Sequence, residues 1–252
     1  MRFVLYNIRY GAGAAWHFHL PFPFSGYLRR TRSNVRTLSA FLKSLKPDII
    51  GLVEVDNGSF LSEKKVSQAG AIAQDLGFDH VYESKYAQAS FAQRVPVLKQ
   101  QGNAFLTNQN IQARDFHYFD KGIKRLVIEL EFDSFVIFLV HLSLKYRHRQ
   151  YQLADLNHLF MHVKKPKIVA GDFNVLGGER ELGLFKAAAG LESANERRLP
   201  TFPCRMPRRE LDFVLYSPEI RMKHFHIPRV TFSDHLPLVF DFDPPPSTTR
   251  KK

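Results

Sequence analysis

Lys167-Ile-Val-Ala-Gly-Asp-Phe-Asn174 reads as a buried strand that ends in polar chemistry. The β-branched run predicts a strand, and Gly-Asp-x-Asn sets a carboxylate and an amide two residues apart, on one side of its C-terminal end. Open α/β sheets bind their ligands at that end. Further along, Ser233-Asp234-His235 adds a second carboxylate beside an imidazole, a pairing that sets the tautomer of the histidine and raises its basicity.

The same pattern recurs outward from this segment. Asn7 interrupts Phe3–Ile8, Glu54 follows Ile49-Ile50-Gly51-Leu52-Val53, and His141 follows Phe138-Leu139-Val140. Asp172 and Asp212 stand in similar places. Buried charges are costly unless they are paired or bound to metal, so the convergence of these positions calls for a cation or a dense hydrogen-bond network. Carboxylate and amide oxygens without thiolates favour Mg²⁺, with Mn²⁺ as a substitute, over zinc. Each residue alone also has a plainer reading: Glu54 as a surface carboxylate, Asn7 as a turn former, His141 as a satisfied core histidine.

Strands are predicted at Phe3–Ile8, Asp48–Val55, His80–Glu83, Gly102–Thr107, Arg125–Phe132, Phe135–Leu142, Lys167–Phe173, Leu211–Tyr216 and Leu236–Phe242, with Asp133-Ser134 as a hairpin turn. Helical spacing covers Ser33–Leu45, Ser62–Leu76, Tyr146–Val163 and Glu179–Ala189. Pro47 stops the first of these, and Gly190 closes the last. Strands and helices in mixed order, with a hairpin among them, predict two packed mixed sheets with helices outside, a four-layer α/β sandwich. No linker divides the 252 residues, so one domain is expected over 1–243, followed by a disordered basic tail over 244–252.

The chain has 36 Lys plus Arg against 24 Asp plus Glu, a net charge of +12 that favours a polyanion, nucleic acid or an anionic membrane. Solubility alone is the other explanation of such a charge. The single cysteine, Cys204, excludes an internal disulfide framework and a cysteine-rich zinc site. Leu126–Leu142, the most apolar region, is broken by Glu129, Glu131 and Asp133 and is too interrupted to span a bilayer. The chain opens on a strand-like run, so no leader segment is expected and a cytoplasmic location is, with peripheral membrane contact left open. A zincin His pair on a helix and a Gly-x-Ser-x-Gly elbow are both missing from the sequence, which disfavours zinc and serine hydrolases.

An ordered set of motifs resembles the endonuclease/exonuclease/phosphatase superfamily. It runs Tyr6-Asn7-Ile8, Gly51-Leu52-Val53-Glu54-Val55, Gly102-Asn103-Ala104-Phe105-Leu106-Thr107, Val140-His141-Leu142, Gly171-Asp172-Phe173-Asn174, Leu211-Asp212-Phe213 and Ser233-Asp234-His235-Leu236-Pro237-Leu238. The resemblance implies the four-layer sandwich and Mg²⁺-dependent hydrolysis of a phosphoester. It makes Glu54 the main metal ligand, with Asn7 beside it and Asp234 near the ion. It gives Asp172 the orienting or deprotonation of the attacking water, and Asn174 that water or a phosphate oxygen. It gives His235, oriented by Asp212, a general acid/base role, and His141 a phosphate oxygen, with the water's proton going to either Asp172 or His235. Asn103 and Arg149 are read as substrate contacts. Val140-His141-Leu142 departs from the Tyr-x-Pro type of the abasic-site exonucleases and looks closer to the deoxyribonuclease and sphingomyelinase branches. His141-Leu-Ser-Leu-Lys-Tyr-Arg-His-Arg-Gln-Tyr-Gln-Leu153 resembles small uncharacterised bacterial members.

These features together predict a phosphodiesterase acting on nucleic acid or on a phospholipid-type diester, with no obligate protein partner. An inactive polyanion-binding module of the same fold is the alternative, disfavoured because it would have no reason to retain costly buried charges. Trp16-His-Phe-His-Leu-Pro-Phe-Pro-Phe-Ser-Gly-Tyr27, with Arg29, Arg30 and Arg32, suits a membrane interface, stacking on bases, or simple packing over the core. Lys121, Lys124, Arg125, Lys145, Arg147 and Arg149 form a basic set flanking strands that approach the site.

Overall fold

Two six-stranded mixed sheets face each other in the computed structural model, which describes residues 1–13, 32–58, 67–84, 101–122 and 124–246. The first sheet combines β1 (Arg2–Asn7), β2 (Ile49–Asp56), β3 (Asp79–Ser84), β4 (Gln101–Thr107), β11 (Arg221–His226) and β12 (Leu238–Asp243) in the order β11-β12-β1-β2-β4-β3. The second combines β5 (Ala113–Tyr118), β6 (Leu126–Glu131), β7 (Val136–His141), β8 (Lys167–Asp172), β9 (Glu192–Ser193) and β10 (Asp212–Tyr216) in the order β5-β6-β7-β8-β10-β9. One parallel pair lies at the centre of each sheet, β1 with β2 and β7 with β8, and the other neighbours are antiparallel. Both parallel pairs therefore end together, and their C-terminal ends carry the polar residues.

Alternation along the strands builds three apolar layers. Phe3 and Leu5 of β1 point between the sheets, where they pack with Ile128, Ile137, Leu139 and Phe240. Val4 and Tyr6 point outward onto α1 (Arg32–Ser44) and α2 (Gln68–Leu76), through Leu38, Leu42 and Ile72. On the far face of the second sheet, Phe138 and Val140 pack with Leu153, Leu156 and Phe160 of α3 (Tyr146–Met161) and Phe185 of α4 (Gly183–Ala189). Helix, sheet, sheet, helix is the expected four-layer sandwich. At Gly51 the sheets come close: a Cβ there would lie 3.1 Å from Leu139 and 3.2 Å from the Phe3 ring.

The hairpin between β6 and β7 turns at Asp133-Ser134, closed by the Phe132 N–H donating to the Phe135 carbonyl at 2.8 Å. Three strands go beyond the nine expected. β5 and β11 are edge strands whose side chains are largely exposed and charged or imidazole, and β9 has two residues, so none carries the apolar alternation that marks a strand. The predicted helix over Glu179–Ala189 begins with a 3₁₀ turn, Glu179–Leu182, before α4. Residues 62–66 of the second predicted helix, the aromatic stretch Trp16–Tyr27 and most of the predicted basic tail lie outside the described residues. Among the described residues no helix is long and apolar enough to cross a membrane.

Candidate active site

Asn7, Glu54, His141 and Asp172 meet at the seam between the sheets because each stands where a central parallel strand ends or is about to end. Asn7 pairs in register with Val53, and His141 with Asp172. Antiparallel β10 then sets Asp212 directly opposite Asp172. Glu54 reaches the seam through an irregularity: the β2–β4 register shifts between Leu52 and Val55, and Glu54 has a φ of 57° in the left-handed region. That conformation turns its side chain out of the strand alternation.

Asp172 is the hub. It is 2 % exposed, and its Oδ2 accepts the Asn7 amide at 3.1 Å and lies 3.3 Å from His141 Nε2 and 3.9 Å from His235 Nε2. Its Oδ1 accepts the Asn174 backbone N–H at 3.0 Å, while the Asn174 side chain donates to the Leu142 carbonyl at 2.9 Å. Burial by itself would raise the Asp172 carboxyl, but the His141 contact and the charges of His235 and Lys124 outweigh it and hold the group well below the usual carboxylate range. Glu54 faces Lys124 at 3.6 Å and His141 at 3.8 Å.

His141 and His235 are set up oppositely. Burial first, then the charge of Lys124 against its Nε2, lowers His141 to about 4 despite Asp172 and Glu54, so it is neutral at pH 7. Burial also works against a charged His235, but the Asp212 carboxylate and hydrogen bond, with Asp172 and Asp234, lift it to about 10. His235 Nδ1 lies 2.8 Å from Asp212 Oδ2, which also accepts the Thr201 hydroxyl at 2.7 Å. The Phe202 ring lies against the imidazole at 4.8 Å. A buried imidazolium is thus paired with a carboxylate that has a second donor of its own.

Two of the expected residues have other partners. Asp234 pairs with Arg9 at 3.2 Å and accepts the Ser233 hydroxyl at 3.2 Å, at the rim of the group. Arg149 is not brought to the site: it is 1 % exposed and donates to Glu181 and to the carbonyls of Ser143 and Leu144, both at 2.9 Å, tying α3 to the segment after β7. Asn103 is fully buried beside Glu54, its Oδ1 accepting the Glu54 N–H at 3.4 Å and its Nδ2 without a partner among the described residues. Lys124 and Thr201 are the site members that sequence reasoning undervalued. Lys124 figured only within a basic set, yet Gln152, fully buried on α3, fixes its segment by donating to the carbonyls of Lys121 at 3.0 Å and Lys124 at 2.6 Å.

Two mixed sheets whose strand ends converge on carboxylates, amides and imidazoles define a phosphoester hydrolase of the α/β-sandwich kind. A family model described as the Endonuclease/Exonuclease/phosphatase family matches residues 4–235, and the chain belongs to that family of metal-dependent phosphoesterases. Solved structures share the fold: a mannosyl-6-phosphatase from Bacteroides thetaiotaomicron (15 % identity, TM-score 0.69, 96 % of this chain and 99 % of that one) is one of them. The human Nocturnin catalytic domain with bound sulfate is another, at 20 % identity, TM-score 0.68 and 96 % and 93 % coverage. TDP2 from C. elegans is similar at 15 % identity and TM-score 0.64, over 96 % of this chain and 74 % of its own. No curated protein sequence matches the chain.

Proposed function

We propose that the protein is a Mg²⁺-dependent phosphodiesterase whose substrate is nucleic acid or a phospholipid-type diester. The observation that carries this reading is Asp172, buried and ionised between Asn7, His141 and His235, with Glu54 facing the same imidazole. The donor set fits the ion: Glu54 and Asn7, with Asp234 at the rim, offer carboxylate and amide oxygens, the ligands a hard divalent cation prefers. Asp172, Asp212 and His235 also bring one ligating atom each within 4.8 Å of one another. Asp212 is already engaged by His235 and Thr201, so we assign that trio to proton handling and the ion to Glu54 and Asn7. When bound, the ion supplies Lewis-acid charge to the phosphate oxygens.

The side chains do the rest. Asp172, accepting the Asn174 N–H, orients the attacking water and accepts its proton as the bond to phosphorus forms. Asp212 keeps the His235 imidazole turned with Nε2 toward Asp172 and stabilises its charged form, so that His235 gives its proton to the leaving oxygen as that oxygen's bond to phosphorus breaks. Neutral His141 faces the same space with its imidazole, Asn103 holds the Glu54 backbone in place, and Lys124 adds a fixed positive charge for the non-bridging oxygens.

The test is to incubate the purified protein with Mg²⁺ and compare cleavage of labelled single- and double-stranded DNA with headgroup release from anionic phospholipid vesicles. Asp172→Ala serves as the blank. DNA cleavage absent from the blank makes the enzyme a nuclease, and headgroup release without DNA cleavage makes it a lipid phosphodiesterase. Neither product above the blank would sink the proposal.

A further inference from the structure

Next to His235 lies a cavity of about 800 Å³ whose apolar wall includes Phe202, Cys204 and Val230 and whose rim includes Arg208, Arg209 and Arg229. It shares a wall with the active site. The Phe202 ring that lines it rests on the His235 imidazole, and the Cys204 N–H donates to the Asp234 carbonyl at 2.7 Å. The loop that carries Arg208 and Arg209 is closed on itself: the Thr201 and Phe202 N–H groups donate to the Arg209 carbonyl at 2.8 and 2.9 Å, and those of Arg208 and Arg209 to the Phe202 carbonyl, both at 2.9 Å. Its first residue, Thr201, holds Asp212. The guanidinium groups of Arg208 and Arg209 therefore stand on a frame anchored to the His235–Asp212 pair, and Arg229 reaches the cavity from the segment after β11.

A second cavity of about 390 Å³ shares Arg208 and Arg209 and follows Val175–Gly178, the segment that leaves Asn174. Its carboxylates already have partners: Glu179 pairs with Arg198 at 2.6 Å and with Lys186, and Glu210 accepts the Asn195 amide at 2.6 Å. Among the described residues no ion pair engages Arg208, Arg209 or Arg229. Exposed like-charged groups around an apolar wall repel one another until an anion enters, and guanidinium forks bind phosphate oxygens two at a time.

We infer that the arginine-rimmed cavity binds a second phosphate of the substrate, one carried close to the phosphoester that the active site holds. The inference rests on the phosphoester reading of that site. The apolar wall gives the body linking the two phosphates a surface to lie on, and the volume is that of a small-ligand site. A polynucleotide strand and a doubly phosphorylated headgroup both present this chemistry.

Calorimetric titration in Mg²⁺, with ligands recovered intact, compares thymidine 3′,5′-bisphosphate, thymidine 5′-monophosphate and inositol 1,4-bisphosphate. It is run on the wild type and on an Arg208→Ala/Arg229→Ala variant, both positions being exposed. At least one bisphosphate should bind the wild type about tenfold or more tightly than the monophosphate, and the margin should fall below about threefold in the variant. The preferred bisphosphate identifies the source. Equal binding of all three by the wild type, a margin that survives in the variant, or no binding at all overturns the inference. The phosphoester reading is judged separately, by whether monophosphate binding is lost in Glu54→Ala, so the two can fail independently.

Discussion

Glu54 sits at a φ of 57°, a conformation that costs a residue with a Cβ about 1–2 kcal/mol. The proposed ion site needs a carboxylate at this point, and the strain follows from placing Glu54 there. Glu54→Gly and Glu54→Ala should both lose turnover, but the glycine variant should be the more stable by about 1 kcal/mol in urea denaturation, because only alanine keeps the strained Cβ. Equal stability would show that the backbone at this bulge relaxes without cost. At the other histidine, Asp212→Asn removes the charge that supports the His235 imidazolium. A kcat loss of roughly 10²–10⁴-fold is expected with folding intact by circular dichroism, and unchanged turnover would remove the pair from the mechanism. Glu210 gives a pH signature unrelated to the ion. Burial, opposed by the Asn195 hydrogen bond, pushes it up to about 7 from 4.5. Between those values the unfolded chain releases a proton that the folded chain retains, so stability falls as pH rises through the window and stays lower above it. Glu210→Gln, which keeps the Asn195 contact, should therefore raise the stability at pH 8 by about 1 kcal/mol after allowance for screening, and leave it unchanged near pH 4.

Single elements show what could be read from residues and what could not. The central strands were legible because both their faces are covered and their runs are almost continuously apolar, as in Val136–His141 and Lys167–Asp172. The edge strands were not. Arg114, Asp115 and His117 in β5, or Lys223 and His224 in β11, keep such edges soluble and erase the pattern that would announce a strand. The polar strand ends pointed to most of the site, but only the packing of the sheets shows which ends meet. Sequence carried no sign that Arg149 turns inward to Glu181 or that Lys124 turns toward Glu54. The register that sets His141 beside Asp172 depends on Gly171, at φ 154°, where a Cβ would stand 1.9 Å from the Val140 carbonyl oxygen. Gly171→Ala should force β7 from β8, costing about 3 kcal/mol or more in chemical denaturation and most of the activity. A loss under about 1 kcal/mol would mean that the strand pair is not rigid at the site.

The molecule as a whole places like charges across its central seam. Glu54 belongs to the first sheet and Asp172 to the second, and the contacts that bridge them are Asn7 to Asp172 at 3.1 Å, His141 to Glu54 at 3.8 Å and Lys124 to Glu54 at 3.6 Å. A divalent ion held by Glu54 and Asn7 would add a link where the two halves of the sandwich dock, and unfolding would have to release it. Binding to the folded state alone stabilises by RT ln(1 + [L]/Kd), so about 5 mM Mg²⁺ against a Kd of about 0.1 mM contributes about 2 kcal/mol. In a domain of this size that raises the thermal midpoint by about 4–8 °C. The shift should saturate with Mg²⁺ concentration, appear with Mn²⁺, and vanish in Glu54→Ala, whereas Arg208→Ala, away from the seam, should retain it. A midpoint indifferent to both ions in the wild type would show that the seam is closed by its own side chains, with Lys124 as its cation.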